Sequence, residues 1–347
     1  MGYQKHRKKV YLEILRILAI LLVIFNHTDG YYQYYSNTTN LFTWLFSVLG
    51  SVVCRINVPL FLMITGALLL DRKEPIKEIY QKRIFRIASV LFIFSVFYYV
   101  IAVARGRNTG ASVMDFLRRF LQGSVQESFW YLYLYLGVLI VLPFLRKLAE
   151  SLENREFLYL LLLQLFAGIG IQILEKVTGI QINDNLYLIN IYSFYVLSGY
   201  FLGNRIQIET IGKRQCLAIA GGLMLEIAVA TGIIVWDYHQ TGIYDQACIG
   251  LLSPILTLGI FFCIRWLCSR YRLPRWLESL VLFIGSCVLG IYLLEQFTRI
   301  QLLPLYLYLT EKSIGIVACS CYVIGSFLLA LAYTILLKRI PGIKRLL

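Results

Sequence analysis

Charge is what this 347-residue chain lacks most. Only 15% of its residues are Asp, Glu, Lys or Arg, against about 25% in an ordinary soluble domain. Hydrophobic residues make up 59% and the mean hydropathy is +0.70. These values exclude a typical soluble globule and leave an integral membrane protein. Histidine is scarcer still, with three residues, His6, His27 and His239. The eight cysteines fall mostly within apolar runs, and no zinc-type spacing is completed by histidine, so they are expected as small core residues with no metal bound. No soluble domain, long linker, low-complexity tract or repeat stands out, and a single transmembrane domain over residues 1–347 is expected. A cleavable leader is not: the first apolar run carries Glu13 and Arg16, has no small-residue cleavage site, and is followed by further apolar runs.

What is present is apolar length. A spanning helix needs about 20 such residues. About ten candidate spans recur: Val10–Thr28, Leu41–Leu70, Ile84–Ala104, Trp130–Leu145, Phe157–Lys176, Leu186–Asn204, Gln215–Trp236, Cys248–Cys268, Leu280–Phe297 and Ile314–Leu337. The expected class is all-α, a polytopic transmembrane bundle. The second span is over-long and contains Pro59, which removes a backbone donor, so a kink or a break is expected there.

The net charge of +14 is spread over short connections and not gathered on one soluble surface, which argues against a nucleic-acid partner. Most basic residues fall at the N-terminus, at 72–86, 146–155, 205–214, 265–275 and 338–345. Few fall on the alternate side, namely Arg105, Arg107, Arg118, Arg119, Lys176, Arg299 and Lys312. By the positive-inside rule both termini are expected in the cytoplasm.

Charges inside the spans carry more information. Arg16 and His27 are three helical turns plus about 20° apart, so they share a face at about 16 Å separation, with Glu13 about 60° round from Arg16. Ionisable groups in a bilayer usually face the bundle interior or a wet cavity. Two readings fit Arg16, a functional face or an interfacial i,i+3 pair with Glu13. A second constellation runs Arg55-Ile56-Asn57-Val58-Pro59 to Thr65-Gly66. It suits either an unwound segment lining a cavity or a packing kink. Lys82, Arg83 and Arg86 follow, either as phosphate ligands of a cytosolic molecule or as positive-inside anchors. Glu226 suits a polar bundle contact or a proton path. Tyr31, Tyr32, Tyr34, Tyr35 and Trp44 suit sugar stacking or an interfacial belt.

Taken in order, Arg16 and His27, Val58-Pro59-Leu60-Phe61 to Thr65-Gly66, Lys82-Arg83 to Arg86-Ile87, Phe129-Trp130-Tyr131-Leu132-Tyr133 to Leu142-Pro143, Phe194-Tyr195-Val196-Leu197-Ser198-Gly199-Tyr200-Phe201-Leu202-Gly203, and Gly290-Ile291-Tyr292-Leu293-Leu294 resemble the acyltransferase family 3 integral membrane proteins over nearly the whole chain. The resemblance implies a bundle of about ten helices in a bacterial cell membrane. It also implies transfer of an acyl group, commonly acetyl, from cytosolic acyl-CoA to a hydroxyl of a cell-envelope carbohydrate. Two positions depart from it: where members often carry histidine, this chain has Ser128 and Glu295. His27 is then the expected general base on the acceptor hydroxyl, with Glu295 orienting it or replacing it as a carboxylate base. Glu295 also has a plainer reading, an interfacial residue paired with Arg299. Arg16 and Arg55 are expected to steer the donor or stabilise negative charge, and Lys82, Arg83 and Arg86 to hold its phosphates. The competing classes are a transporter or flippase, built from a similar broken-helix bundle, and a non-catalytic membrane module.

Overall fold

The computed structural model describes residues 2–28, 40–108, 110–180, 191–242 and 253–347. Tyr31, Tyr32, Tyr34 and Tyr35, and the expected span starts at Leu186 and Cys248, lie outside the described residues. Among the described residues every regular element is helical. The main helices are α1 (Gly2–His27), α2 (Leu41–Cys54), α3 (Asn57–Leu69), α4 (Ile76–Ala104), α5 (Val113–Leu121), α6 (Glu127–Ser151), α7 (Asn154–Leu165), α8 (Ile171–Thr178), α9 (Ile191–Tyr200), α10 (Lys213–Thr241), α11 (Ser253–Arg270), α12 (Arg275–Lys312), α13 (Gly315–Leu337) and α14 (Pro341–Leu346).

Seven segments among the described residues are long and apolar enough to cross a membrane: the apolar part of α1, α2 with α3, and α4, α6, α10, α12 and α13. The remaining expected spans correspond to α7 and α8, joined by a π-helical turn at Phe166–Gly170, to α9, and to α11. Outward-facing Leu217, Met224, Leu225, Val229 and Trp236 on α10 are exposed apolar residues of the kind a lipid phase covers.

Several expected boundaries move. The over-long second span breaks at Arg55–Ile56, ahead of Pro59. Pro59 sits in the first turn of α3, where a helix has no intrahelical partner for its N–H groups, so the ring costs no backbone bond. α4 begins at Ile76 rather than Ile84, because a π-helical turn at Ile79–Ile84 carries Lys82 and Arg83 into the helix. α12 runs 38 residues, about 57 Å at 1.5 Å per residue, and so outreaches the roughly 30 Å hydrocarbon core. Arg299, expected in an outer loop, therefore stands on the same helix as Glu295.

α1 is the axial helix, in contact with α2, α3, α11, α12 and α13. Its Leu12, Leu15, Ala19, Ile20 and Ile24 are buried in the main core. The tightest crossing is α3 on α9. A Cβ on Gly66 would stand 1.8 Å from the Val196 carbonyl oxygen, and one on Gly199 would stand 1.9 Å from that of Met63. Only hydrogen fits at either position. Small residues that let backbones approach in this way are a general means of helix association in lipid.

Candidate active site

Arg55 and His27 come together at the end of α1 and the α2–α3 break. They line one cavity of about 240 Å³ whose wall also includes Cys54, Asn57, Ser128, Trp130, Tyr131, Tyr192 and Tyr292. His27 is the last residue of α1, so its ring projects from a helix whose other faces are packed. Its Nδ1 lies 2.9 Å from Glu295 Oε1, and Glu295 is fully buried. The other carboxylate oxygen accepts from Arg299 Nε at 2.8 Å. Arg299 also donates to the His27 carbonyl and to the Gln296 side chain. Its own carbonyl accepts from the Tyr322 hydroxyl at 2.8 Å.

This arrangement fixes the chemistry available. A carboxylate bound to Nδ1 orients the imidazole and leaves Nε2 as its free ring nitrogen, as in a base that takes a proton from a hydroxyl. The guanidinium of Arg299 satisfies the second carboxylate oxygen, so the buried charge is paired on both sides. Beside it, the Arg55 Nε and Nη2 groups are buried and find no acceptor among the described residues. A buried cation with unused donors at a cavity wall suits stabilisation of developing negative charge.

A second cavity, of about 360 Å³, is lined by Arg16, Arg72, Arg83 and Arg86. Arg16 Nη1 lies 2.5 Å from Glu13 Oε1. Arg83 meets Glu74 in a fork, with bonds of 2.6 and 3.0 Å, and Arg72 and Arg146 reach the same carboxylate at 3.4 and 3.3 Å. Hydrogen bonding from Arg83 leads these contacts in holding the Glu74 carboxyl down to about 2. Arg86 donates to the carbonyls of Leu346 and Leu347. Two acids, Glu13 and Glu74, among five guanidiniums leave this mouth positive, which suits phosphate.

The sequence-expected residues thus divide between two chambers. His27 and Arg55 line the first, with Glu295 buried behind His27, and Arg16, Arg83 and Arg86 line the second. Lys82 enters neither wall; it is 70% exposed and pairs with Glu78 at 3.1 Å. Ser128, at one departing position, lines the first chamber, and its carbonyl accepts from the Tyr292 hydroxyl. Both readings of Glu295 coexist in the structure, since it binds His27 and Arg299 together. Glu226 lies apart, on the wall of an apolar cavity of about 800 Å³ with Phe157, Phe201 and Phe262. Among the described residues no cluster of His, Cys, Asp and Glu is arranged to hold a metal ion.

The acyltransferase domain family model matches residues 9–337, taking in every helix that builds the two chambers. The chain belongs to acyltransferase family 3. No curated protein and no solved structure matches it significantly. Sequence reasoning about this family 3 member missed the part played by four residues of its site. Glu74 sits in a loop with no motif around it, and Arg299 looked like a surface partner of Glu295. Tyr131 and Tyr292 lie inside the strings that carry the family likeness, but periodicity gave no sign that the two rings meet.

Proposed function

We propose that this protein is a membrane O-acyltransferase that moves an acyl group, acetyl in the first instance, from cytosolic acyl-CoA to a hydroxyl of a cell-envelope carbohydrate. The observation that carries this reading is the His27–Glu295–Arg299 relay opening onto the same cavity as Arg55. In the reaction, Nε2 of His27 takes the acceptor hydroxyl proton as the oxygen attacks the thioester carbonyl. Arg55 stabilises the resulting oxyanion. Collapse of the tetrahedral intermediate breaks the C–S bond, and the leaving thiolate recovers the proton from the imidazolium. Glu295 and Arg299 touch neither reactant; they hold the ring.

The donor's phosphates rest on Arg83 and Arg86, with Arg16 further along the same chamber and Lys82 at its periphery. The narrow pantetheine arm carries the thioester inward, so a cytosolic donor serves an acceptor on the opposite face without leaving the cell. Family membership over nearly the whole chain supports a single transmembrane domain of about ten spans, and the positive-inside pattern supports cytoplasmic placement of both termini.

The test uses the full chain in lipid nanodiscs with radiolabelled acetyl-CoA and a panel of envelope glycans. Label is expected on a glycan hydroxyl. Donor binding without transfer to any glycan would overturn the transferase reading in favour of a transport or non-catalytic role. Mass spectrometry of envelope glycans from cells with and without the protein identifies the acceptor.

A further inference from the structure

The two chambers share two residues, Tyr131 and Tyr292, and no other side chain lines both. Their rings meet edge to face, with centroids 5.9 Å apart and planes at 77°. Together they stand between the arginine-lined chamber and the one holding His27.

The two rings are held differently. Tyr292 is buried on α12, and its hydroxyl donates to the Ser128 carbonyl, which ties it to the start of α6. Tyr131 has no such tie. Among the described residues its hydroxyl makes no hydrogen bond, and its ring packs against the main core and against other rings: stacked on Tyr135 at 6.0 Å, tilted on Phe61 at 5.7 Å, and edge-on to Trp130 at 6.4 Å. A hydrogen bond to a buried carbonyl resists rotation because turning away leaves that acceptor unsatisfied. Ring-on-ring contact imposes no such directional penalty, and the stacked and tilted positions offer alternative seats for a turned ring. One ring is therefore tied by a directional bond, and the other is held by packing alone.

We infer that Tyr131 is a gate between the chambers, and that it determines which acyl donors reach His27. This rests on the transferase reading above and adds to it a positioning and specificity role for one side chain. With the ring in place, water and solutes from the arginine-lined mouth are kept from the His27 chamber. When the ring turns, it admits a slender acyl-pantetheine arm. The small chamber beyond, about 240 Å³ and lined by Tyr292, Trp130 and Tyr192, limits the acyl chain it can receive. Exclusion of water by a movable group is a common way to protect a reactive acyl donor from hydrolysis.

Val58→Cys provides the readout, because Val58 lines the His27 chamber only and is half-buried, whereas the neighbouring Cys54 is buried with its thiol bonded to the Leu22 carbonyl. Full-length Val58→Cys protein in sealed membrane vesicles is treated with a charged methanethiosulfonate from the face bearing Arg83 and Arg86, and modification of the peptide carrying position 58 is followed by mass spectrometry. In this background Tyr131→Ala and Tyr131→Leu are expected to speed modification about tenfold, as gating would require, whereas Tyr131→Phe, which keeps the ring, stays at the rate of the protein with wild-type Tyr131. Reagent applied from the opposite face is expected to modify position 58 equally in all four proteins. Equal rates from the arginine face with wild-type Tyr131 and in both truncated variants would overturn the gate. So would an equal acceleration in Tyr131→Phe, which would assign closure to the hydroxyl. Because this readout needs no turnover, it is distinguishable from failure of the transferase reading, which appears as absent acyl transfer by the wild-type protein. If transfer is present, Tyr131→Ala is also expected to raise the ratio of butyryl to acetyl transfer; an unchanged ratio would overturn the specificity half of the inference.

Discussion

His27 Nδ1 and Glu295 Oε1 lie 2.9 Å apart, although 268 residues of chain separate them. The bond joins the end of α1 to the middle of α12 and turns a lone histidine into an oriented one. Removing the ring should remove the base: His27→Ala is expected to lower acyl transfer by about 10²- to 10⁴-fold at matched membrane expression. Undiminished transfer would take His27 out of the mechanism. Glu295→Gln keeps the shape but loses the carboxylate, and a fall of up to about 10⁴-fold is expected, the scale of replacing the carboxylate that fixes a catalytic imidazole's tautomer by an amide. Donor binding should survive in both.

Arg55 should act on the rate rather than on affinity. It lines the His27 chamber and not the arginine-lined one, and two of its donors are buried without an acceptor among the described residues. Arg55→Ala is expected to reduce kcat by about 10²- to 10³-fold, as for loss of an oxyanion donor, with donor Kd nearly unchanged. Equal losses in kcat/KM through KM alone would contradict that assignment.

The charged mouth separates wall residues from anchors. Arg86→Ala removes a guanidinium from the second chamber and is expected to weaken acyl-CoA binding by about tenfold, the worth of one charge-assisted bond. Lys82→Ala, at an exposed pair with Glu78, should change it by less than about twofold. Isothermal titration with desulfo-CoA measures both, and equal effects would argue against a phosphate site built on the wall.

Glu74 gives a pH-dependent prediction. Its carboxyl is held at about 2 by Arg83, Arg146 and Arg72 in the folded protein. A depressed folded value means that the stability it confers is present above the ordinary carboxylate range and lost as pH falls toward 2. Glu74→Gln is therefore expected to cost on the order of 1–2 kcal/mol at pH 7, with the gap to wild type closing as the pH is lowered through 4 toward 2. A gap that stays constant down to pH 3 would refute the charge-based account. Thermal unfolding in detergent across this range reads the difference.

The α3–α9 crossing is equally exposed to test. Gly66→Ala or Gly199→Ala puts a methyl carbon within 2 Å of a backbone carbonyl, and the neighbour is backbone, which cannot swing aside. Either change is expected to destabilise by more than the roughly 1–3 kcal/mol typical of overpacking. Gly221→Ala on α10, where a Cβ meets nothing within 4 Å, is the matched control. Fluorescence-detected size-exclusion profiles after graded heating compare the three.

Composition and hydropathy alone determined that this chain is an all-helical membrane protein, because a bilayer admits few other ways to satisfy backbone groups. Spacing along α1 also put Arg16 and His27 on one face, since a helix repeats its geometry locally. The break near Pro59 was legible too, though its position at Arg55–Ile56 was not, because helix capping and packing decide where a strained turn falls. Only the tertiary structure decided that Glu295 serves His27, that Arg55 rather than Arg16 shares its chamber, and that two tyrosines divide the chambers. Those pairings join helices far apart in sequence, and helix-to-helix contact depends on rotation and crossing geometry that no local periodicity encodes.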